Sequence, residues 1–307
     1  MPNPVDLAQA QRSLLLTAAL LRVQDAFEAA RIPFLAFKGP TLSLALYGSL
    51  GARSYGDIDV LLPADRVVEA RRLLVELGYK SELDVTDEQL AWLTTFLNEY
   101  AMRGESSFVE LHWSVVRPGY RFSLRYEDLA PYATTTIIAG KSVPTLRDEA
   151  LIVVLAVHGA KHGWSRTSWL TDFADLALGD RRIDWDEVFA IAGRHGATRF
   201  VLQGAWLVRN ELHRALPQRL ERWVERDRLA GVAARMARRS PREDLHSFLS
   251  YVVAMSDGRS RWRAFQEIFV DPTPLDCQLV TLPRRLYPLY HAVRPIRLVG
   301  KHVFRLR

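Results

Sequence analysis

Two aspartates one residue apart, Asp57 and Asp59, stand near the end of the stretch FLAFKGPTLSLALYGSLGARSYGDIDVLL, residues 34–62. On a strand running from Asp57 to Leu62, alternate side chains share a face, so the two carboxylates converge on one point. Oxygen ligands arranged in this way suit a hard divalent cation. A D-x-D pair alone is weak evidence, because surface strands often end in solvated acids. Glu110 strengthens it. That acid lies between Val109 and Leu111 in a second strand-like run, FVELHW, where burying a carboxylate is costly unless it is paired or coordinated. Three carboxylates from two strands form a ligand set for two Mg²⁺ ions, or Mn²⁺ in their place, handling a nucleoside triphosphate.

Lys38-Gly39-Pro40 reads as the end of a strand turning into a helix N-terminus, where free backbone N–H groups and the helix dipole favour phosphate. Gly39 allows close approach and Lys38 adds a point charge. Arg53 and Ser54, just before the acids, supply a further phosphate clamp, although each of these residues also fits a plain surface turn. His112 shares the strand face of Glu110 and is read as a support for that carboxylate rather than a substrate ligand. His158 and His162 are spaced i, i+4 on a helix, but HGAKH lacks the glutamate of a zinc-peptidase helix. Lys161, Trp164, Arg166 and Trp169 suggest a helical wall against base or phosphate, with Asp172 holding one of its cations. Packing of the two tryptophans between helices explains the same residues equally well.

The elements that must position these groups follow from periodicity. Residues 6–30 read as an amphipathic helix with Leu16, Leu20, Val23 and Phe27 on one face. A strand at 34–37, a helix at 40–47, the strand at 57–62 and a helix at 65–77 stopped by Gly78 come next. A short helix at 86–95 is ambiguous. Strands at 100–102 and 108–113 are joined around Arg103 to Ser106, and a second hairpin turns at Ala139-Gly140-Lys141. After Pro144 the runs 149–161, 168–178, 185–195, 198–212 and 216–235 all carry helical period. The expected fold is therefore α+β: a small mixed β-sheet domain with flanking helices over residues 1–145, then an all-helical domain over 146–307.

Composition bounds the rest. At 307 residues with 25% charged residues the chain is an ordinary globular sequence. The formal charge is +6, yet the segment from Cys277 to Arg307 alone carries +7 and no acid, which leaves −1 for the remainder. Basic character belongs to the tail, which argues against a whole-protein nucleic-acid binder. The single cysteine, Cys277, excludes a disulfide framework, so a cytoplasmic setting is expected. The N-terminal apolar run is short and lacks a small-residue cleavage site, and no stretch approaches a transmembrane length. The tail 284–307 mixes apolar residues with spaced arginines. Docking of its apolar residues on the helical domain, with the arginines solvated, is preferred over contact with an anionic membrane or a polyanionic partner, because Pro288 and Pro295 interrupt a surface helix.

Taken together, Lys38, Gly39, Arg53, Asp57, Asp59, Glu110, Leu111, His112 and Trp113 resemble a family of uncharacterised bacterial nucleotidyltransferases with a K-G turn, R-x-x-x-D-[IL]-D and E-L-H-W, within the DNA polymerase beta-like superfamily. The likeness extends into HGAKHGWSRTSWLTDFADL (158–176) and LYPLYHAVRPIRL (286–298). The wider superfamily's turn is Gly-Ser, so here the phosphate grip falls on Lys38. The resemblance implies a nucleotide-binding transferase that moves a nucleoside monophosphate from an NTP, ATP in the first instance, to an acceptor, with pyrophosphate leaving. Asp57 and Asp59 would bind both metals and Glu110 would complete the site. The acceptor stays open among a small hydroxyl compound, a peptide or protein side chain, and tRNA, the near-neutral body weighing against RNA. Two rival readings are a D-x-D glycosyltransferase using a sugar nucleotide, which leaves Lys38 and Glu110 unexplained, and an inactive nucleotide-binding module.

Overall fold

The computed structural model describes residues 4–120, 122–237, 245–255 and 258–303. The chain opens on helix α1 (Pro4–Ala29), whose Leu16, Leu20, Val23 and Phe27 are fully buried, as the single-face pattern requires. Strand β1 (Leu35–Ala36), helix α2 (Pro40–Tyr47) and strand β2 (Asp57–Leu61) follow. A 3₁₀ turn at Ala64–Arg66 leads into α3 (Val67–Glu76), after which Gly78 adopts φ +89°. Strand β3 (Lys80–Ser81) precedes α4 (Asp87–Leu93), whose start is fixed by a capping box between Thr86 and Gln89. That box resolves the ambiguous stretch as a helix. Strands β4 (Glu99–Arg103) and β5 (Phe108–His112) complete a five-stranded sheet of order β1-β2-β5-β4-β3. Only β2 and β5 run parallel, at its centre; the other neighbours are antiparallel. A short helix α5 (Tyr126–Leu129) then leads to the hairpin of β6 (Ala133–Ile138) and β7 (Lys141–Leu146), a separate two-stranded sheet with β7 beside β1.

The remaining described elements are helical. They are α6 (Asp148–Lys161), α7 (Thr167–Leu178), α8 (Trp185–Arg194), α9 (Thr198–Glu211), α10 (Gln218–Arg226), α11 (Arg228–Ala237), α12 (Leu245–Ala254), α13 (Gly258–Phe269), α14 (Pro274–Leu279) and α15 (Tyr290–Val303). Helix α6 is buried almost all round from Ala150 to Val157, and its core joins Leu35, Phe37 and Leu61 of the sheet. The architecture is α+β with a helical C-terminal region.

Two expectations need correction. Residues 216–235 form two helices, not one, because Asp227 leaves helical geometry at ψ 87°. Its carboxylate caps the next turn by accepting from the Ala230 N–H (3.0 Å) and pairs with Arg199 (2.9 Å), which local periodicity cannot reveal. The tail docks, its tyrosines against α4 of the sheet region and its helix α15 also against α13 and α14. Tyr287 and Tyr290 are buried with ring centroids 5.3 and 5.7 Å from Trp92, and Gln89 reaches the Tyr290 hydroxyl at 3.5 Å. Its arginines are not all solvated either: Arg297 pairs with buried Asp276 (2.6 Å) and Arg294 donates to the Ile268 carbonyl (3.1 Å). Arg284 and Arg285 are exposed, whereas Arg305 and Arg307 lie outside the described residues. Among the described residues no helix is long and apolar enough to cross a membrane.

Candidate active site

Strand register brings the acids together. In the parallel pairing of β2 and β5, Asp59 stands opposite Glu110 and Leu61 opposite His112; on the other edge of β5, Glu99 of β4 stands opposite His112. Paired residues share a face and alternate residues repeat it, so Asp57, Asp59, Glu110, His112 and Glu99 all belong to one face. Their neighbours Ile58, Val60, Val109 and Leu111 are at most 1% exposed on the opposite face, which is why the motif reads D-I-D-V and V-E-L-H.

Asp59 is the hub. Lys38 Nζ donates to Asp59 Oδ1 at 2.9 Å, and His112 Nε2 lies 3.2 Å from the same oxygen and 3.3 Å from Glu110 Oε2. Asp59 Oδ2 is buried and has no hydrogen-bond partner. Burial by itself would raise the Asp59 carboxyl, but the Lys38 ammonium and the His112 contacts outweigh it and hold the group well below the usual carboxylate range. The same balance runs the other way for His112: burial works against its charge, yet hydrogen bonds to Asp59 and Glu110 and the charge of Glu99 push it up to about 9. Asp57 has no such cation in contact. Burial first, then the neighbouring carboxylates of Asp59 and Glu110, raise it to about 6.

A divalent cation fits this arrangement. Asp59, Glu110 and His112 each offer a ligand atom, all within 4.8 Å of one another. The orphaned Asp59 oxygen and the mutual repulsion felt by Asp57 are what a bound cation would relieve.

The residues expected at the phosphates flank the acids. Lys38, Arg53, Ser54, Asp57, Glu110, His112 and Arg166 line one cavity of about 280 Å³. Gly39 does not line it but shapes the turn: at φ +58°, ψ −128° it occupies a region closed to other residues, and a Cβ there would meet the Asp57 carbonyl oxygen at 3.0 Å. Arg53 is held in a fork by Asp172 of α7, with Nη2 to Oδ2 at 2.8 Å and Nε to Oδ1 at 2.8 Å. This corrects the expectation that Asp172 anchors a cation of the helical wall. Lys161 instead lies 3.5 Å from Glu99, and Arg166 stacks over Trp169 at 5.1 Å.

The helical wall is formed by α6 and α7. His158, His162 and Trp169 cluster, with the two imidazole rings 4.7 Å apart and each about 5 Å from the indole. Burial lowers the His158 pKa, and the positive charges of Lys38, His162 and Lys161 lower it further, so the ring is neutral. Trp164 is not part of the wall. It is fully buried, and a Cβ at Gly159 would sit 2.5 Å from its ring, so that glycine of HGAKHGW is required by packing.

Sequence reasoning missed Glu99. Its carboxylate accepts from Asn98 Nδ2 (2.7 Å) and lies 3.4 Å from His112 Nδ1. The expected strand began at Tyr100, one residue late; in E-Y-A-M the buried Tyr100 and Met102 put Glu99 on the site's face.

A family model described as uncharacterised nucleotidyltransferase matches residues 6–213. Among solved structures, the antibiotic-resistance factor ANT(2'')-Ia in solution is 14% identical at TM-score 0.44, covering 66% of this chain and all of that one. The complex of ANT(2'')-Ia with adenylyl-2''-tobramycin is 13% identical at TM-score 0.42, covering 58% and 95%. The lincomycin-bound lincosamide antibiotic adenylyltransferase LnuA is 15% identical at TM-score 0.38, covering 52% and 94%. No curated protein matches the chain.

Proposed function

The chain belongs to the uncharacterised nucleotidyltransferase family, and we propose that it transfers a nucleoside monophosphate from an NTP to a hydroxyl-bearing acceptor with release of pyrophosphate. One observation carries this reading: Asp57, Asp59 and Glu110 stand on one sheet face, with Asp59 and Glu110 in direct register, and Asp57 and Glu110 line the same cavity as Lys38 and Arg53. In the attack, the acceptor oxygen bonds to the α-phosphorus as the bond to the β-phosphate oxygen breaks. Mg²⁺, or Mn²⁺, would be held by Asp57, Asp59 and Glu110 and would supply charge neutralisation and a more acidic acceptor hydroxyl. Glu110, a third exposed at the cavity, takes the acceptor proton. Lys38, Arg53 and Arg166 neutralise the leaving pyrophosphate, and the Ser54 hydroxyl donates to it. The base packs against Trp169 and His162, whose rings meet at 5.1 Å with a tilt of 48°.

ATP is the first nucleotide to try, and a small molecule or protein side chain fits the near-neutral body better than tRNA does. The test is incubation of the protein and of the Asp57→Ala/Asp59→Ala variant with each labelled NTP, Mg²⁺ and host extract. Acid-dependent label transfer with pyrophosphate release supports the reading. Bound nucleotide with no turnover across a broad acceptor panel would instead favour the inactive binding module, and consumption of a sugar nucleotide would favour the glycosyltransferase.

A further inference from the structure

Resting on that reading, we propose that His112 is itself a metal ligand through Nε2, and that Glu99 is the outer carboxylate that fixes its ring. The centre joining β2, β4 and β5 then adds one imidazole to the carboxylates that hold its divalent ion. His112 Nε2 lies 3.2 Å from Asp59 Oδ1 and 3.3 Å from Glu110 Oε2. Adjacent donors of an octahedral ion with bonds of roughly 2.1 Å are about 3 Å apart, so His112 Nε2 stands at ligand-to-ligand spacing from each carboxylate, and the ligand atoms of all three groups lie within 4.8 Å of one another. The imidazole has little freedom to leave it. Its side chain is 5% exposed, and the Phe37 ring packs edge-on at 5.4 Å.

Glu99 occupies the place of an outer carboxylate. Its Oε2 lies 3.4 Å from His112 Nδ1, a charge contact that stops short of a hydrogen bond and leaves Nδ1 aimed at the carboxylate without another partner. A ligating histidine commonly directs its second ring nitrogen at such a carboxylate, which fixes tautomer and orientation. Glu99 is in turn held by the Asn98 amide at 2.7 Å and Lys161 at 3.5 Å, so it is engaged outside the ligand set. On ligation the ion takes the place of the Nε2 proton, and Nδ1–H is left to donate to Glu99. Lys161 therefore acts two steps from the ion as a positioning residue. An imidazole nitrogen is a softer donor than a carboxylate oxygen, so the centre discriminates less against first-row transition ions than an all-carboxylate one.

Mn²⁺ alone, without nucleotide, is the probe. Electron spin-echo modulation of the wild-type protein is expected to carry the ¹⁴N coupling of a directly bound imidazole, which is lost in H112Q while Mn²⁺ affinity falls by at least as much as loss of an outer partner costs, roughly 10–100-fold. E99Q keeps the nitrogen coupling and weakens Mn²⁺ by about 10-fold, the lower end of the effect of losing an outer partner. The wild-type spectrum decides even where H112Q folds poorly. Bound Mn²⁺ that is sensitive to D59N yet shows no nitrogen coupling overturns the inference, as does an H112Q affinity equal to wild type. This readout separates from activity. Nucleotide transfer by a protein without nitrogen coupling overturns the ligand assignment and leaves the function, whereas nitrogen-coupled Mn²⁺ in a protein without transfer does the reverse.

Discussion

Asp172 sits on α7, far along the chain from the acids, yet its fork with Arg53 should carry both stability and activity. The side chains are 12% and 5% exposed, so Asp172→Leu strands a guanidinium whose Nη1 already lacks a partner. Breaking a buried pair from one side costs about 3–5 kcal/mol. For a protein of 307 residues, whose unfolding entropy is about 0.6 kcal/mol/K, that corresponds to a drop in Tm of roughly 5–8 °C. Untethering Arg53 also displaces a charge that the transfer step needs in place, an effect on the order of 10²-fold in kcat/KM. The double variant Arg53→Met/Asp172→Leu replaces the pair by apolar groups, and such replacements are often neutral. It should therefore recover most of the lost Tm while activity stays low. Thermal denaturation and NTP-dependent pyrophosphate release on the wild type, the single and the double variant read the two effects separately. A double variant as unstable as the single one, or one that regains activity, refutes the account of the pair.

Other consequences follow from the same geometry. Lys38 competes with a cation for Asp59 Oδ1, so Lys38→Met should tighten Mn²⁺ binding without nucleotide by about 10-fold, roughly 1.4 kcal/mol, while slowing turnover at least ~10²-fold; loss of both in titration and assay would contradict the dual role. Gly39→Ala forces a side chain into a region only glycine tolerates, costing about 1–3 kcal/mol by chemical denaturation, and an unchanged midpoint would argue against the strained turn. His158 has a folded pKa below its unfolded value, so the folded state binds fewer protons and stability falls as pH drops below about 6.5. His158→Gln should flatten the fall of Tm between about pH 6.5 and 5, and an unaltered slope would place the acid sensitivity elsewhere.

Much of the site was legible because strand periodicity is local. D-I-D and V-E-L-H each announce which side chains share a face, and the five-residue strands preserve that alternation. What the sequence could not carry was register between strands. That Asp59 meets Glu110, and Glu99 meets His112, depends on a parallel crossover and on where β4 begins. The Arg53–Asp172 fork escaped for the same reason: its partners are 119 residues apart, and Asp172 was paired by proximity in sequence with Lys161 or Arg166. Periodicity likewise carried across Asp227, where a cap and a distant arginine break the helix. Pro288 and Pro295 argue for docking of the tail but not for the surface it uses, because Trp92 stands out as a docking site only once α4 is folded.

The most direct test of the central claim is transfer of an α-phosphate label. The protein is mixed with α-labelled ATP, Mg²⁺ or Mn²⁺ and a panel of hydroxyl-bearing small molecules and proteins, beside Asp57→Asn, Asp59→Asn and Glu110→Gln variants. The account predicts a labelled acceptor and stoichiometric pyrophosphate, both abolished by chelation and reduced on the order of 10³-fold or more by each substitution, as expected when charge at the reacting phosphate is no longer stabilised. Label transfer that survives loss of the carboxylates would contradict it.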